Sequence, residues 1–289
     1  VETEHINDEI HIQQDINAFR SSLVYDCIER AMDLVEGGSV YSADGGPTAG
    51  TISAGDSLAA LDEIVFNQKL LTMEQVLHAM STNYEDMETV PAGPDIRAIL
   101  LNKAPKFGND DERADKWVVE LEDYIGSSYR YKYRSSKYGK GPVPCCYSYS
   151  QSPVTGNIAF GKSIGATPDG RKDGQPVNNG ISPANGSEKK GATAACNSVM
   201  KLPSIWFQKG AIFNMRLSKG ALDTDENKEK VIAMIKVLFE NYGQQIQFNV
   251  VDNKVFKKAM EHPDEYKDLM VRVSGYSALF TSLSPECQM

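Results

Sequence analysis

Apolar side chains recur at helical spacing through the first part of the chain. Phe19, Leu23, Cys27, Ala31 and Leu34 would share one face of a helix over residues 17–34, which Gly37 and Gly38 stop. Residues 57–66 and 72–80 predict two more helices, with Thr72 placed to cap the second. Pro91 and Pro94 break the pattern, and a helix resumes over 111–125. Beyond Gly141 the chain changes to strand-like runs over 144–150 and 154–160, followed by Pro168-Asp169-Gly170. That triplet is a turn signal, because proline presets φ and glycine accepts a positive one. Thr224 or Asp225 then caps a helix whose Val231, Met234, Ile235, Leu238 and Phe239 form one apolar face, with Gly243 just past its end. Over 245–251 Ile246, Phe248 and Val250 alternate with polar neighbours, which predicts a half-buried strand. A helix over 253–260 follows, then an apolar run from Leu269 to Val273 that ends in Ser274-Gly275. Helix, strand, helix, short strand and loop in that order imply the α/β class.

Three stretches carry a choice between structure and chemistry. Residues 45–55 are rich in glycine and other small residues, so they form a loop that permits close approach of another segment. The alternative, a phosphate cradle, lacks both the Gly-Lys-Ser/Thr ending and a Gly-x-Gly-x-x-Gly after a strand. Residues 129–134 interleave tyrosine with arginine and lysine, a solvated or partner-facing rim on a chain of this charge rather than a base-stacking surface. Asp169 and Arg171 could serve as an acid and an anion clamp, but turn chemistry and a local ion pair also explain them.

Composition narrows the classes. With 289 residues, 41% of them apolar, the chain can bury a sizeable core. A net charge of −9 offers no basic surface for a phosphate backbone, so nucleic acid is excluded as a partner. No run approaches the roughly 20 apolar residues of a membrane helix, and the acidic start has no signal-peptide order, which implies no membrane and a cytoplasmic location. Cys27, Cys145, Cys146, Cys196 and Cys287 are odd in number and lack a Cys-x-x-Cys pair, so reduced thiols are expected and no metal site. Neither end has the look of a domain terminus, as in a fragment or one subunit of a larger assembly.

Chemistry concentrates at Arg272-Val273-Ser274-Gly275-Tyr276. An unpaired electron on a backbone Cα is delocalised onto the flanking amide nitrogen and carbonyl, which requires a near-planar centre with no Cβ to crowd it. Only glycine meets both conditions. Such a centre must be kept from oxygen and solvent, a task for the apolar neighbours Val273, Tyr276, Leu279 and Phe280. The segment matches Arg-Val-x-Gly-Tyr and resembles the signature of glycyl radical enzymes, the pyruvate formate-lyase-like superfamily. Residues 247–252, the blocks 161–171 and 180–183, and residues 54–60 resemble other parts of the same family, so the similarity runs from about Phe19 to Glu286. The blocks Ala166-Thr167-Pro168-Asp169-Gly170-Arg171 and Gly180-Ile181-Ser182-Pro183 are nearer the dehydratase, decarboxylase and lyase branch.

This resemblance implies the C-terminal half of a ten-stranded α/β barrel with a central glycyl radical loop. It divides the chain into a mainly helical part of the barrel domain over 1–140, a strand-rich half-barrel segment over 141–252 and a glycyl radical domain over 253–289. It implies a radical on Gly275, installed by a separate S-adenosylmethionine/iron–sulfur activating enzyme, with Arg272, Val273 and Tyr276 supporting the loop. The glycyl radical would oxidise a cysteine to a thiyl, which attacks substrate to cleave an unactivated C–O, C–N, C–S or C–C bond. The Gly-Cys-x-Glu loop of the dehydratases is missing from these residues, so that cysteine belongs to an N-terminal half or subunit, within a homo-oligomer of the full enzyme. Cys145-Cys146 resembles the adjacent pair of pyruvate formate-lyase but reads as structural. By the same resemblance Ser152 and Val154 face the substrate, offering a hydroxyl and an apolar surface. The alternatives are a radical-carrying interaction subunit that is inert alone, a fragment with no activity, and a formate C-acetyltransferase.

Overall fold

A computed structural model describes residues 2–41, 45–131, 148–152, 155–250, 253–273 and 275–288. Cys145, Cys146, Val154, Ser274 and the basic residues of the 132–134 segment lie outside them. The chain divides into two compact units: Val1–Pro47, Asp123–Ser150 and Ile205–Lys209 form one; Thr48–Glu122, Gln151–Ser204 and Gly210–Met289 form the other.

In the first unit, helix α1 (Glu2–Gln14) is followed by α2 (Ala18–Ser22), capped by the Asn17 side chain, which accepts from the Arg20 N–H at 2.9 Å. The helix expected over 17–34 ends there. Asp33 accepts from the Asn17 and Val35 N–H groups, and Ser21 Oγ accepts from the Leu34 N–H, so side chains satisfy backbone that a helix would have paired. Phe19 and Leu23, the start of the expected apolar face, are 78% and 73% exposed and give a longer helix nothing to pack on. Tyr149 packs against Tyr129 and Phe207, with ring centroids 5.6 and 5.7 Å apart.

The second unit holds the core. Helix α3 (Thr51–Ala60) continues into a π-helical turn over Leu61–Asn67, α4 spans Met73–Ser81 and α5 spans Gly93–Asn102. Their buried Ala60, Ile64, Val76, Ala79, Ile96 and Leu100 form one apolar cluster. Thr72 starts α4 as expected: its Oγ1 accepts from the Gln75 N–H, and Gln75 Oε1 accepts from the Thr72 N–H. The loop expected over 45–55 yields to helix at Thr51. Its small residues do permit close approach, since a Cβ on Gly55 would strike the Val118 side chain of α6 (Glu112–Tyr131). A phosphate at the start of α3 is opposed by what already sits there. Thr51 Oγ1 donates to the buried Glu122 carboxylate at 2.7 Å, and Asn178 Oδ1 accepts from the Ser53 N–H at 3.0 Å.

The strand expected over 154–160 is instead helix α7 (Gly156–Lys162). Asn157 binds Val177 through both its carbonyl and its side-chain amide, and Gly161 backs onto Gln175 and Pro176, so the segment packs end-on to its neighbour and offers no edge to pair. Of the strand expected over 144–150, the described residues form only an isolated parallel bridge from Ser150 to Pro47. The turn at 167–171 forms, with Gly170 at φ +93°. Arg171 donates to the carbonyls of Ile164, Gly165, Lys172 and Gln175, and Lys106 Nζ donates to the Asp169 carbonyl, so these two residues hold the loop together rather than clamp an anion.

Helix α8 (Ala192–Met200) leads to strand β1 (Asn214–Arg216), helix α9 (Asp225–Glu240) and strand β2 (Gln247–Asn249), which pairs in parallel with β1. Thr224 caps α9 by accepting from the Asn227 N–H at 3.1 Å, and Leu238 is its fully buried residue, while Phe239 is 47% exposed. Helix α10 (Asn253–Glu261) precedes strands β3 (Met270–Arg272) and β4 (Ser277–Leu279), an antiparallel hairpin, and the short α11 (Pro285–Gln288) follows. Helices and four three-residue strands in two separate pairs make the described residues α/β. Among them no helix is long and apolar enough to cross a membrane.

Two predictions come from this packing. Gly180 has φ +57°, and an added Cβ would strike the Ile212 carbonyl, so Gly180→Ala lowers stability by about 2–4 kcal/mol in urea unfolding. Asp56 is fully buried; its Oδ1 accepts from the Phe107 N–H at 2.7 Å and its Oδ2 has no partner among the described residues. Burial pushes its pKa from 3.8 up to about 7, against the pull of Lys106. The folded state therefore holds this proton more tightly than the unfolded chain, and the stabilisation, full below the unfolded value, is lost as pH rises through the folded one. Relative to wild type, the melting temperature of Asp56→Asn should rise progressively between pH 4 and pH 7, whereas a constant difference would contradict this.

Candidate functional site

The hairpin β3–β4 pairs Met270 with Leu279, Val271 with Ala278 and Arg272 with Ser277. Val273 N–H closes its tip by donating to the Tyr276 carbonyl at 2.9 Å. Gly275 stands in that tip at φ +86°, and an added Cβ there would meet nothing within 4 Å. The backbone angle, not crowding, is what this tip demands of residue 275. The base of the hairpin is apolar: Val271, Phe280 and Ala259 are buried together, and the Phe280 and Phe256 rings lie 4.8 Å apart.

The β1–β2 pair holds the hairpin through side-chain amides. Asn249 donates from Nδ2 to the Arg272 carbonyl and accepts at Oδ1 from the Arg272 N–H, both at 2.8 Å, as a neighbouring strand would. Gln247 Oε1 accepts from the Gly275 N–H at 3.1 Å, while its Nε2 donates to Asn214 Oδ1 and, at 3.5 Å, to the Val273 carbonyl. The Arg272 guanidinium turns back over the tip, reaching the Gly275 carbonyl at 3.2 Å and Ser277 Oγ at 3.2 Å. Gly275 is thus gripped on both sides, at its N–H by a buried amide and at its carbonyl by an exposed cation.

A family model described as pyruvate formate lyase-like matches residues 1–160, and one described as glycine radical matches residues 177–281. The chain belongs to the pyruvate formate lyase-like family of glycyl radical proteins. The probable dehydratase YbiW of Escherichia coli (strain K12) is 36% identical over 100% of the chain and 35% of its own length. The trans-4-hydroxy-L-proline dehydratase of Clostridioides difficile is 35% identical over 93% of the chain and 32% of its own length. The solved hydroxyproline dehydratase of that organism, with trans-4-hydroxy-L-proline bound, superposes over 99% of the chain and 35% of its own, with a TM-score of 0.89 at 32% identity. The glycerol-bound, B12-independent glycerol dehydratase of Clostridium butyricum gives 0.86 at 35% identity, over 97% of the chain and 34% of its own. The chain spans about a third of the length of the curated relatives it matches.

Within this glycyl radical protein the structure brings together Gly275, Arg272, Val273 and Tyr276, all in the hairpin. It differs in how the tip is covered. Phe280 is buried and Val273 half-buried, but Gly275 is exposed, and Tyr276 and Leu279 are 43% and 42% exposed, so the described residues do not seal the glycine as expected. For Leu279 the reason is geometric: it pairs with the exposed Met270 on the face of the hairpin opposite the Val271–Ala278 pair, while Tyr276 stands in the tip beyond the paired residues. Ser152 lies half-buried next to Gln151, whose backbone bridges Ala211 three residues before β1. Val154 lies outside the described residues. Sequence reasoning missed Gln247 and Asn249. The signal was in the β2 alternation, where buried positions were assigned to Ile246, Phe248 and Val250, whereas Gln247 is the most buried of the strand at 6% exposure.

If the Asn249 amide stands in for a strand, its loss should open the hairpin locally. Asn249→Leu should speed hydrogen exchange of the Arg272 amide by about tenfold or more, the effect of losing two hydrogen bonds, with exchange in α4 and α5 unchanged.

Proposed function

We propose that this chain is the C-terminal, radical-bearing part of a glycyl radical lyase of the dehydratase type. The observation that carries the reading is Gly275, held at positive φ in a hairpin tip within the span that matches the glycine radical model. One-electron cleavage of S-adenosylmethionine on a separate iron–sulfur activating enzyme supplies a carbon radical. That radical takes one hydrogen atom from the Gly275 Cα, which keeps the unpaired electron. The glycyl radical then takes a hydrogen atom from a cysteine thiol, and the thiyl takes one from a substrate carbon. The substrate radical expels a group from the adjacent carbon and regains its hydrogen. Each transfer needs its partners in near contact, so placement is the main task of the protein.

The cysteine lies outside this chain, in an N-terminal part that completes the α/β barrel, and the full enzyme is a cytoplasmic homo-oligomer. The span of about a third of the relatives supports the placement of the cysteine outside this chain, as does the lack of a Gly-Cys-x-Glu loop in the 289 residues. The parallel β1–α9–β2 crossover is the kind of unit from which a barrel is built. The relatives' names include dehydratases of trans-4-hydroxy-L-proline and (2S)-3-sulfopropanediol and a lyase of isethionate, so the substrate class is a small hydroxylated compound. Ser152 and Val154 are its proposed substrate contacts, a role that rests on the family resemblance alone. That same missing loop also supports a second reading, in which the chain is a radical-carrying subunit that works only with a cysteine-bearing partner.

The test is anaerobic electron paramagnetic resonance of the whole enzyme after incubation with its activating enzyme, S-adenosylmethionine and a reductant. A doublet is expected in wild type and none in Gly275→Ala. Activated enzyme should eliminate water or another leaving group from small hydroxylated compounds; formate and acetyl transfer from pyruvate instead would overturn the lyase assignment.

A further inference from the structure

A radical on a glycine Cα is stabilised by push from the amide nitrogen and pull from the carbonyl. Hydrogen bonding can strengthen each. An acceptor on the N–H enriches the nitrogen, and a cationic donor on the carbonyl oxygen raises its pull. Gly275 has both, from Gln247 Oε1 at 3.1 Å and from Arg272 Nη2 at 3.2 Å. The two partners differ in rigidity. Gln247 is 6% exposed, and its Nε2 is committed to Asn214 Oδ1 and the Val273 carbonyl, which fixes the amide so that Oε1 faces the glycine. Arg272 is exposed and reaches the carbonyl at the end of a long, flexible chain.

That difference fits a requirement of the radical. At φ +86° the two amide planes flanking the Gly275 Cα are far from coplanar, while delocalisation needs them aligned. Loss of the hydrogen atom must therefore be followed by rotation about the N–Cα bond. Such a rotation leaves the N–H in place and swings the carbonyl, so a fixed partner suits the first and a mobile one suits the second. Gln247 is also the most buried residue of β2, whose other two positions are only half-buried. A buried amide there is otherwise unfavourable, and its hydrogen bonds lead to the glycine tip and to β1.

We propose that Gln247 is a positioning residue for the radical, its side-chain carbonyl holding the Gly275 N–H and raising the share of spin on the amide nitrogen, with Arg272 following the carbonyl. This rests on the assignment of the radical to Gly275. The experiment is electron–nuclear double resonance of the activated whole enzyme, made with and without nitrogen-15, on wild type, Gln247→Leu and Gln247→Glu. Gln247→Leu should show weaker coupling to the amide nitrogen and its exchangeable proton, and a larger α-proton splitting. Its radical should decay about three- to tenfold faster under strict anaerobiosis, the factor one net hydrogen bond is worth. Gln247→Glu keeps an acceptor and should retain the amide couplings of wild type or exceed them.

Unchanged couplings and decay in Gln247→Leu overturn the proposal. If Gln247→Leu forms no radical, recovery of the doublet in Gln247→Glu supports it, and absence in both variants overturns it, because Gln247 would then serve folding alone. Failure of the underlying assignment looks different: wild type would give no doublet, or its doublet would survive in Gly275→Ala.

Discussion

Side-chain amides on one strand pair hold the backbone of another, and the glycine hairpin depends on that. Three-residue strands pair weakly, and an isolated two-stranded hairpin is marginal in water. Asn249 supplies the pairing that a third strand would have given to Arg272, and Gln247 does the same for the tip. The buried Val271, Phe280 and Ala259 fasten the other end. Between these two anchors the backbone reaches a positive φ that only glycine adopts readily, with open space where a side chain would be.

The same device recurs through the second unit. Asn178 ties Ser53 in α3 to the Gly180 carbonyl, and Gln151 donates to both Thr51 and Glu122. Lys106 and Arg171 secure the 167–171 turn through backbone carbonyls. Irregular segments cannot satisfy their own polar groups, so buried side chains do it for them. Burying Asp56 beside this network has an electrostatic consequence as well, since its carboxyl is held well above the usual range. These loops are therefore tied down by side chains although they contain little regular structure.

On the proposed function, a fixed backbone near the glycine and access to its Cα have to coexist. The described residues give both: a tip fixed by hydrogen bonds and an exposed Gly275. A relay of hydrogen atoms between groups that must come into near contact needs a fixed relative geometry, which a buried amide provides better than a flexible surface chain.

The family and the glycine were legible in the sequence because they rest on local features: the Arg-Val-x-Gly-Tyr run, the Pro-Asp-Gly turn and the capping threonines at 72 and 224 all act within a few residues. Helices α4 and α9 were legible for the same reason, since a capping threonine marks the start of each within a few residues. Tertiary structure decided the rest. Whether residues 17–34 stay helical depended on whether Phe19 and Leu23 find a surface to cover, and whether 154–160 forms a strand depended on a neighbouring edge. The burial of Gln247 depended on the Gly275 N–H, 28 residues away in the chain. Periodicity records which residues would share a face, but the partners that cover that face, or that satisfy a buried amide, come from distant segments, and only the folded chain brings them together.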